Sequence, residues 1–293
     1  MNWVGRLLLF VLPLEFLLSF VSIPPKFEAG VWYGNSYRER LALQTWPLSQ
    51  DFNNLGYRDM DWMKKTSQKR VAMLGDSRFY GKYVSREQTF SHFVTNNSTW
   101  YSMNLGLPGA SIFEAKDFIL DDALQLEPDV IVMCFDINSS LFSVMTRKQG
   151  GSRHDILQNI LRSSLIYTWL ERFWYVMHQD IQPIMSIEEY SSMLTEVIQI
   201  SKDHHTDVIL VIGWAFLEDF PDLYNRERYE KFQDVSRQIG MQQGIHILDM
   251  NELLQSKDLN QYLIGMEQMH LSEKGHQYIG QILIDLLMEH YNE

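Results

Sequence analysis

The chain has 293 residues, enough for one large domain that buries roughly three quarters of its unfolded-state surface. Apolar residues make up 45% and aromatics 13%, a composition that excludes disorder. A net charge of -12 offers no basic surface to a phosphate backbone, which excludes nucleic acid as a partner. Cys134 is the sole cysteine, so an intrachain disulfide and a thiolate metal cluster are excluded as well.

An apolar run over residues 7–23 follows Arg6 and has the length of a short membrane span. No small-x-small cleavage site comes after it, which predicts an uncleaved signal anchor over 1–25 rather than a removed signal peptide or a buried core helix. Glu15 lies inside the run, where a carboxylate is expensive unless protonated or paired, and it points to a membrane protein partner. With Arg6 held inside, the rest of the chain faces outward, on the periplasmic or extracytoplasmic side of the cytoplasmic membrane. Residues 26–69 are polar and aromatic without a period, centred on Asn53-Asn54-Leu55-Gly56-Tyr57-Arg58-Asp59. They read as an ordered extension, with Lys64, Lys65, Lys69 and Arg70 as a solvated charge cluster before the main domain.

Val71-Ala72-Met73-Leu74 is a short, wholly apolar run of the kind that forms a buried parallel strand. Gly75-Asp76-Ser77 breaks it with a turn residue and two helix-capping types. Helical spacing resumes over 87–94. A second strand is expected at Tyr101-Ser102-Met103-Asn104, then a glycine-bearing loop through Gly109 and Ser111, then a helix over 112–126. The third strand is 130–135, with Asp136-Ile137-Asn138 at its end; the fourth is 207–213 and the fifth 245–248. A final helix is expected over 274–291. Strands alternating with helices predict a three-layer α/β/α domain around a five-stranded parallel sheet, spanning 70–293.

Residues 139–186 interrupt this alternation as an insertion. Leu157, Ile160, Leu161, Leu165, Trp169, Leu170, Phe173 and Trp174 recur there at near-helical spacing. Core packing is the expected role, with a substrate lid or membrane-facing helix as the alternative. His204-His205 falls at a helix end without a third ligand type, and His276 belongs to the start of the last helix. No metal or cofactor is expected.

Four features converge on strand ends: a serine after strand one, a glycine loop after strand two, an asparagine after strand three, and a late Glu267-Gln268-Met269-His270. A carboxylate three residues before a histidine can orient the ring, leaving Nε2 free to take a serine proton. Ser77 then acts as nucleophile, and the amides of Ser77 and Gly109 with the Asn138 side chain donate to the oxyanion.

From residue 70 to the C-terminus, outside the insertion, these blocks resemble the SGNH (GDSL-like) serine hydrolases, whose domain is flavodoxin-like. Gly75-Asp76-Ser77 is similar to the family's first block, 104–111 to its second, and Asp136-Ile137-Asn138 to its Gly-x-Asn. Glu267-x-x-His270 stands where the family has Asp-x-x-His. The resemblance implies Ser77, His270 and Glu267 as catalytic residues and Ser77, Gly109 and Asn138 as the oxyanion hole. Residues 53–59 resemble membrane-anchored bacterial members, which implies an esterase or O-acyltransferase acting on acylated envelope carbohydrate. A secreted lipase-like esterase is an intermediate alternative. Arg78 replaces the leucine of GDSL, Glu267 an aspartate and Asp136 a glycine. A carboxylate at 136 is unfavourable beside a developing anion unless it points away or is neutralised, and Arg78 is the expected counter-ion. Read as decay, the Asp136 and Glu267 changes give a second expectation: a catalytically degenerate module that binds glycan or a membrane partner.

Overall fold

The computed structural model describes residues 52–53, 55–62, 64–143, 182–214, 225–264 and 269–291. Residues 142–143 and 182 group with one compact unit and all the others with a second, which carries the architecture below. The apolar run 7–23 and the aromatic middle of the insertion lie outside the described residues. Among the described residues no helix is long and apolar enough to cross a membrane.

Five strands form the sheet: β1 (Arg70–Gly75), β2 (Tyr101–Gly106), β3 (Val130–Cys134), β4 (Asp207–Ile212) and β5 (His246–Asp249). Their order is β2-β1-β3-β4-β5, and every neighbouring pair is parallel. The uniformly apolar runs are explained by burial on both faces: Val71, Ala72, Met73 and Leu74 are all fully inaccessible. Alternate side chains then serve two cores. Val71, Met73, Val130, Val132, Ile209 and Val211 share one cluster with Phe90, Val94, Ile279, Leu283 and Leu287. Those partners come from α2 (Phe90–Asn97) and α10 (Glu273–His290). On the opposite face Leu210 and Ile247 approach Gly240 of α7 (Arg226–Gln243), which packs on α6 (Ile187–Asp203). The layers are therefore α/β/α, and the strand order reverses between β1 and β3, a point where sites form in such sheets.

Within the described residues the expected strands and helices of the main domain are present with shifted bounds. The segment expected to be helical over 87–94 is a 3-10 turn, Arg86–Gln88, followed by α2, because Thr89 is extended and caps α2 by accepting from His92 N. The helix expected over 112–126 is built of α3 (Ile112–Glu114), a π turn (Ala115–Ile119) and α4 (Leu120–Leu124). Arg70 is not solvated. It is buried, with its guanidinium donating to Leu126 O at 2.8 Å and its amide to Asp129 Oδ2 at 2.7 Å. An arginine stem can lie along apolar surface while its head reaches a carbonyl, which composition alone does not reveal.

The segment around Tyr57 is ordered and docked. Asn53 Oδ1 accepts from Leu55 N and Tyr57 N at 3.0 Å, an Asx-type turn. Tyr57 then donates to Asp122 Oδ2 at 2.8 Å, and Asp59 Oδ2 accepts from Asn104 N at 2.8 Å. Burial raises the Asp59 pKa above its ordinary value.

Candidate active site

The register of the sheet places three loops side by side. Gly75 at the end of β1 pairs with Gly106 of β2 and with Cys134 of β3. Strands so paired lie ~4.8 Å apart, so the turns leaving them share one edge of the sheet. Ser77, Gly109 and Asn138 each follow within a few residues, and each is half-buried.

Ser77 opens α1 (Ser77–Tyr80), which Asp76 caps by accepting from Arg78 N at 2.8 Å. Its Oγ lies 2.8 Å from His270 Nε2. His270 comes from a two-residue strand, His270–Leu271, paired antiparallel with Leu263–Ile264. The ring is buried and its pKa is lowered to about 3, first by burial and then by the charges of Lys82 and Arg78. The imidazole is thus neutral at ordinary pH, the form that accepts a proton.

Gly109 lies in the turn Leu107–Ala110, closed by Ala110 N donating to Leu107 O at 3.0 Å. Its φ of 79° favours a glycine there. Asn138 sits in α5 (Asp136–Ser140) and donates one amide proton to Ala110 O at 3.0 Å. That bond ties the third loop to the second and leaves the amide's other proton to point elsewhere. Ile112 N also donates to Ser139 Oγ at 3.1 Å, so the two loops are joined twice.

Asp136 is neutralised as expected. Arg78 Nη2 lies 2.8 Å from Asp136 Oδ1 and 2.7 Å from Asp76 Oδ2, with all three side chains buried. Arg78 Nε also donates to Asp76 Oδ1 at 3.0 Å, and Asp136 accepts from Gly213 N and Ile137 N at 2.7 Å. Burial opposes the Arg78 charge, yet Asp76, Cys134 and Asp136 keep its pKa well above the usual value. Gly213 is required by this packing, since a Cβ there would stand 2.0 Å from Arg78 Nη1. The pairing of Arg78 with Asp136 is legible in the sequence, whereas no motif marks the share taken by Asp76 or the need for Gly213.

Glu267 lies outside the described residues. Asp249 is engaged elsewhere: one oxygen takes Arg237 Nε at 2.7 Å and the other accepts from Asn251 N at 3.0 Å. His204 and His205 are exposed at the end of α6, and His276 is buried in the first turn of α10, accepting from Phe90 N at 3.2 Å. No cluster of metal-ligating side chains occurs among the described residues.

A doubly wound parallel sheet with a serine hydroxyl and an imidazole in contact at its switch point is an arrangement suited to nucleophilic chemistry. The chain belongs to the GDSL-like Lipase/Acylhydrolase family, whose sequence profile matches residues 73–278. The fold is similar to that of a putative lipolytic protein of the G-D-S-L family from Desulfitobacterium hafniense, at 14% identity and TM-score 0.53, covering 75% of this chain and 99% of that one. It is also similar to the lipase/acylhydrolase from Enterococcus faecalis, at 13% identity and TM-score 0.53, with 75% and 95% covered. An acetyl xylan esterase, AlAXEase, matches at 13% identity and TM-score 0.53, with 74% and 99% covered. No curated protein sequence matches the chain.

Proposed function

We propose that this hydrolase is a serine-dependent acyl esterase or acyltransferase acting on O-acylated envelope glycans. The observation that carries the chemistry is the 2.8 Å contact between Ser77 Oγ and His270 Nε2. Ser77 attacks the ester carbonyl as its proton passes to Nε2, and the tetrahedral oxyanion is met by the Ser77 and Gly109 amides and the Asn138 side chain. His270 then gives the proton to the departing alkoxide, and water or a sugar hydroxyl resolves the acyl-enzyme. Glu267 orients the imidazole. The pairing of Asp136 with Arg78 supports the active reading over a degenerate module, because the one foreign carboxylate is already neutralised. The acetyl xylan esterase of the same fold is a precedent for an acetylated polysaccharide as substrate. The apolar run 7–23 anchors the chain in the cytoplasmic membrane with the domain outside, where such glycans are found, and Glu15 engages a membrane protein partner.

Incubation of the full chain with an O-acetylated polysaccharide, with and without an unacetylated acceptor sugar, tests the reading. Free acetate or acetylated acceptor is expected from the wild type and neither from Ser77→Ala. Equal turnover by the two proteins would overturn it.

A further inference from the structure

Tyr83 is the one aromatic among the large apolar side chains that the described residues expose, with 57% of its surface accessible. Its backbone φ is 75°, a region that L residues other than asparagine and aspartate rarely adopt. The ring stands against the His270 imidazole at 5.2 Å between centroids and 89° between planes, and the Lys82 ammonium lies 4.8 Å from its centre. The loop that holds it is fixed from a distance. The buried Arg58 guanidinium donates to Gly81 O and Val84 O at 2.7 Å and to Tyr80 O at 3.3 Å. An exposed ring kept in a rarely populated conformation beside the proton-transferring histidine contributes little to the core. Such outliers gather where a ligand is met.

Chemistry decides which part of the ester it meets. When the tetrahedral intermediate collapses, the carbonyl carbon–oxygen bond to the alcohol breaks and the Nε2 proton goes to that oxygen. The alcohol moiety must therefore sit on the His270 side of the site, against Tyr83, while the acyl group stays bonded to Ser77. A phenol ring offers a flat, rigid face to the C–H surface of a pyranose, and the neighbouring ammonium can donate to its hydroxyls. We propose that Tyr83 is a specificity-determining residue that stacks on the sugar ring bearing the acyl group, with Arg58 as the positioning residue of its loop. This rests on the carbohydrate-ester reading above.

The test is a ratio of kcat/KM values, for acetylated methyl glucopyranoside over methyl acetate. The wild type is expected to favour the sugar ester. Tyr83→Asn, which keeps a residue tolerant of this backbone, should lower the ratio about tenfold through a raised KM, and Tyr83→Phe and Tyr83→Trp should retain it. A merely structural role would reduce both rates together and leave the ratio unchanged, which overturns the proposal while the carbohydrate reading stands. A wild type with no preference for the sugar ester, or inert to both, overturns that reading and the proposal with it.

Discussion

Ser77 stands on a buried polar frame, whereas His270 is delivered by apolar packing and a two-residue strand pairing. Behind Ser77, Arg78 joins Asp76 and Asp136, and Gly213 N, Ile137 N and Cys134 Sγ also donate to Asp136. Around His270 the neighbours Met269 and Leu271 are buried, Leu271 pairs with Leu263, and Ser272 N donates to Tyr262 O at 2.9 Å. A buried ion network resists change in one member, because each deletion leaves a charge without its partner. An apolar support tolerates change more gradually. Changes in the ion frame behind Ser77 should therefore cost stability and activity together, and changes to the reacting side chains or around His270 should separate them.

The largest effect sharpens the contrast at the reacting atom itself. Ser77→Ala should reduce kcat by ~10⁴-fold or more, while its urea unfolding midpoint stays at the wild-type value. Residual activity within tenfold of wild type would remove Ser77 from the chemistry.

Next comes the frame. Arg78→Leu strands Asp76 and Asp136 and should cost about 3–5 kcal/mol in urea unfolding. Adding Asp136→Gly restores both residue types that the family has at these positions and should recover most of that loss. Additive destabilisation in this double-mutant cycle would show that the two side chains do not act as a pair. Asn138→Ala should lower kcat by ~10²–10³-fold, the scale of one oxyanion donor, and cost only about 1 kcal/mol for its bond to Ala110. An unchanged kcat would leave Asn138 as a mere tie between loops.

The smallest effect is on the pH profile. Because burial, Lys82 and Arg78 lower the His270 pKa to about 3, its basic form persists far into acid. The acidic limb of kcat/KM should fall well below the ordinary imidazole value of about 6.5, and Lys82→Gln should move it upward. A limb at or above that value in the wild type would contradict the description of His270. The linked stability has a defined sign. His276 is also lowered to about 3, mainly by burial, so the unfolded chain binds protons that the folded one refuses. Stability is full above about 6.5 and declines as pH falls from there toward about 3.

Much of this architecture was legible because a strand buried on both faces must be wholly apolar. The runs at 71–74, 130–134 and 208–212 announced the sheet, and the polar break after each located the site. The Arg78–Asp136 pair was legible as two departures from a family pattern that compensate each other. Other features depend on tertiary placement and leave no local mark. Arg70 looked like one more surface cation, and only the proximity of Leu126 O turns it inward. Arg58 and Asp59 carry no period, and their partners lie many residues ahead, in the segment Tyr80–Val84 and at Asn104 of β2. Thr89, which splits the expected helix, acts through capping geometry rather than apolar spacing.

The most direct measurement of the central claim, a serine activated by His270, is covalent labelling of the purified chain with a fluorophosphonate, followed by peptide mapping. One phosphonyl group per chain on Ser77 is expected, with labelling lost in Ser77→Ala and slowed strongly in His270→Ala. Labelling on a different serine, or none in the wild type, would contradict the account.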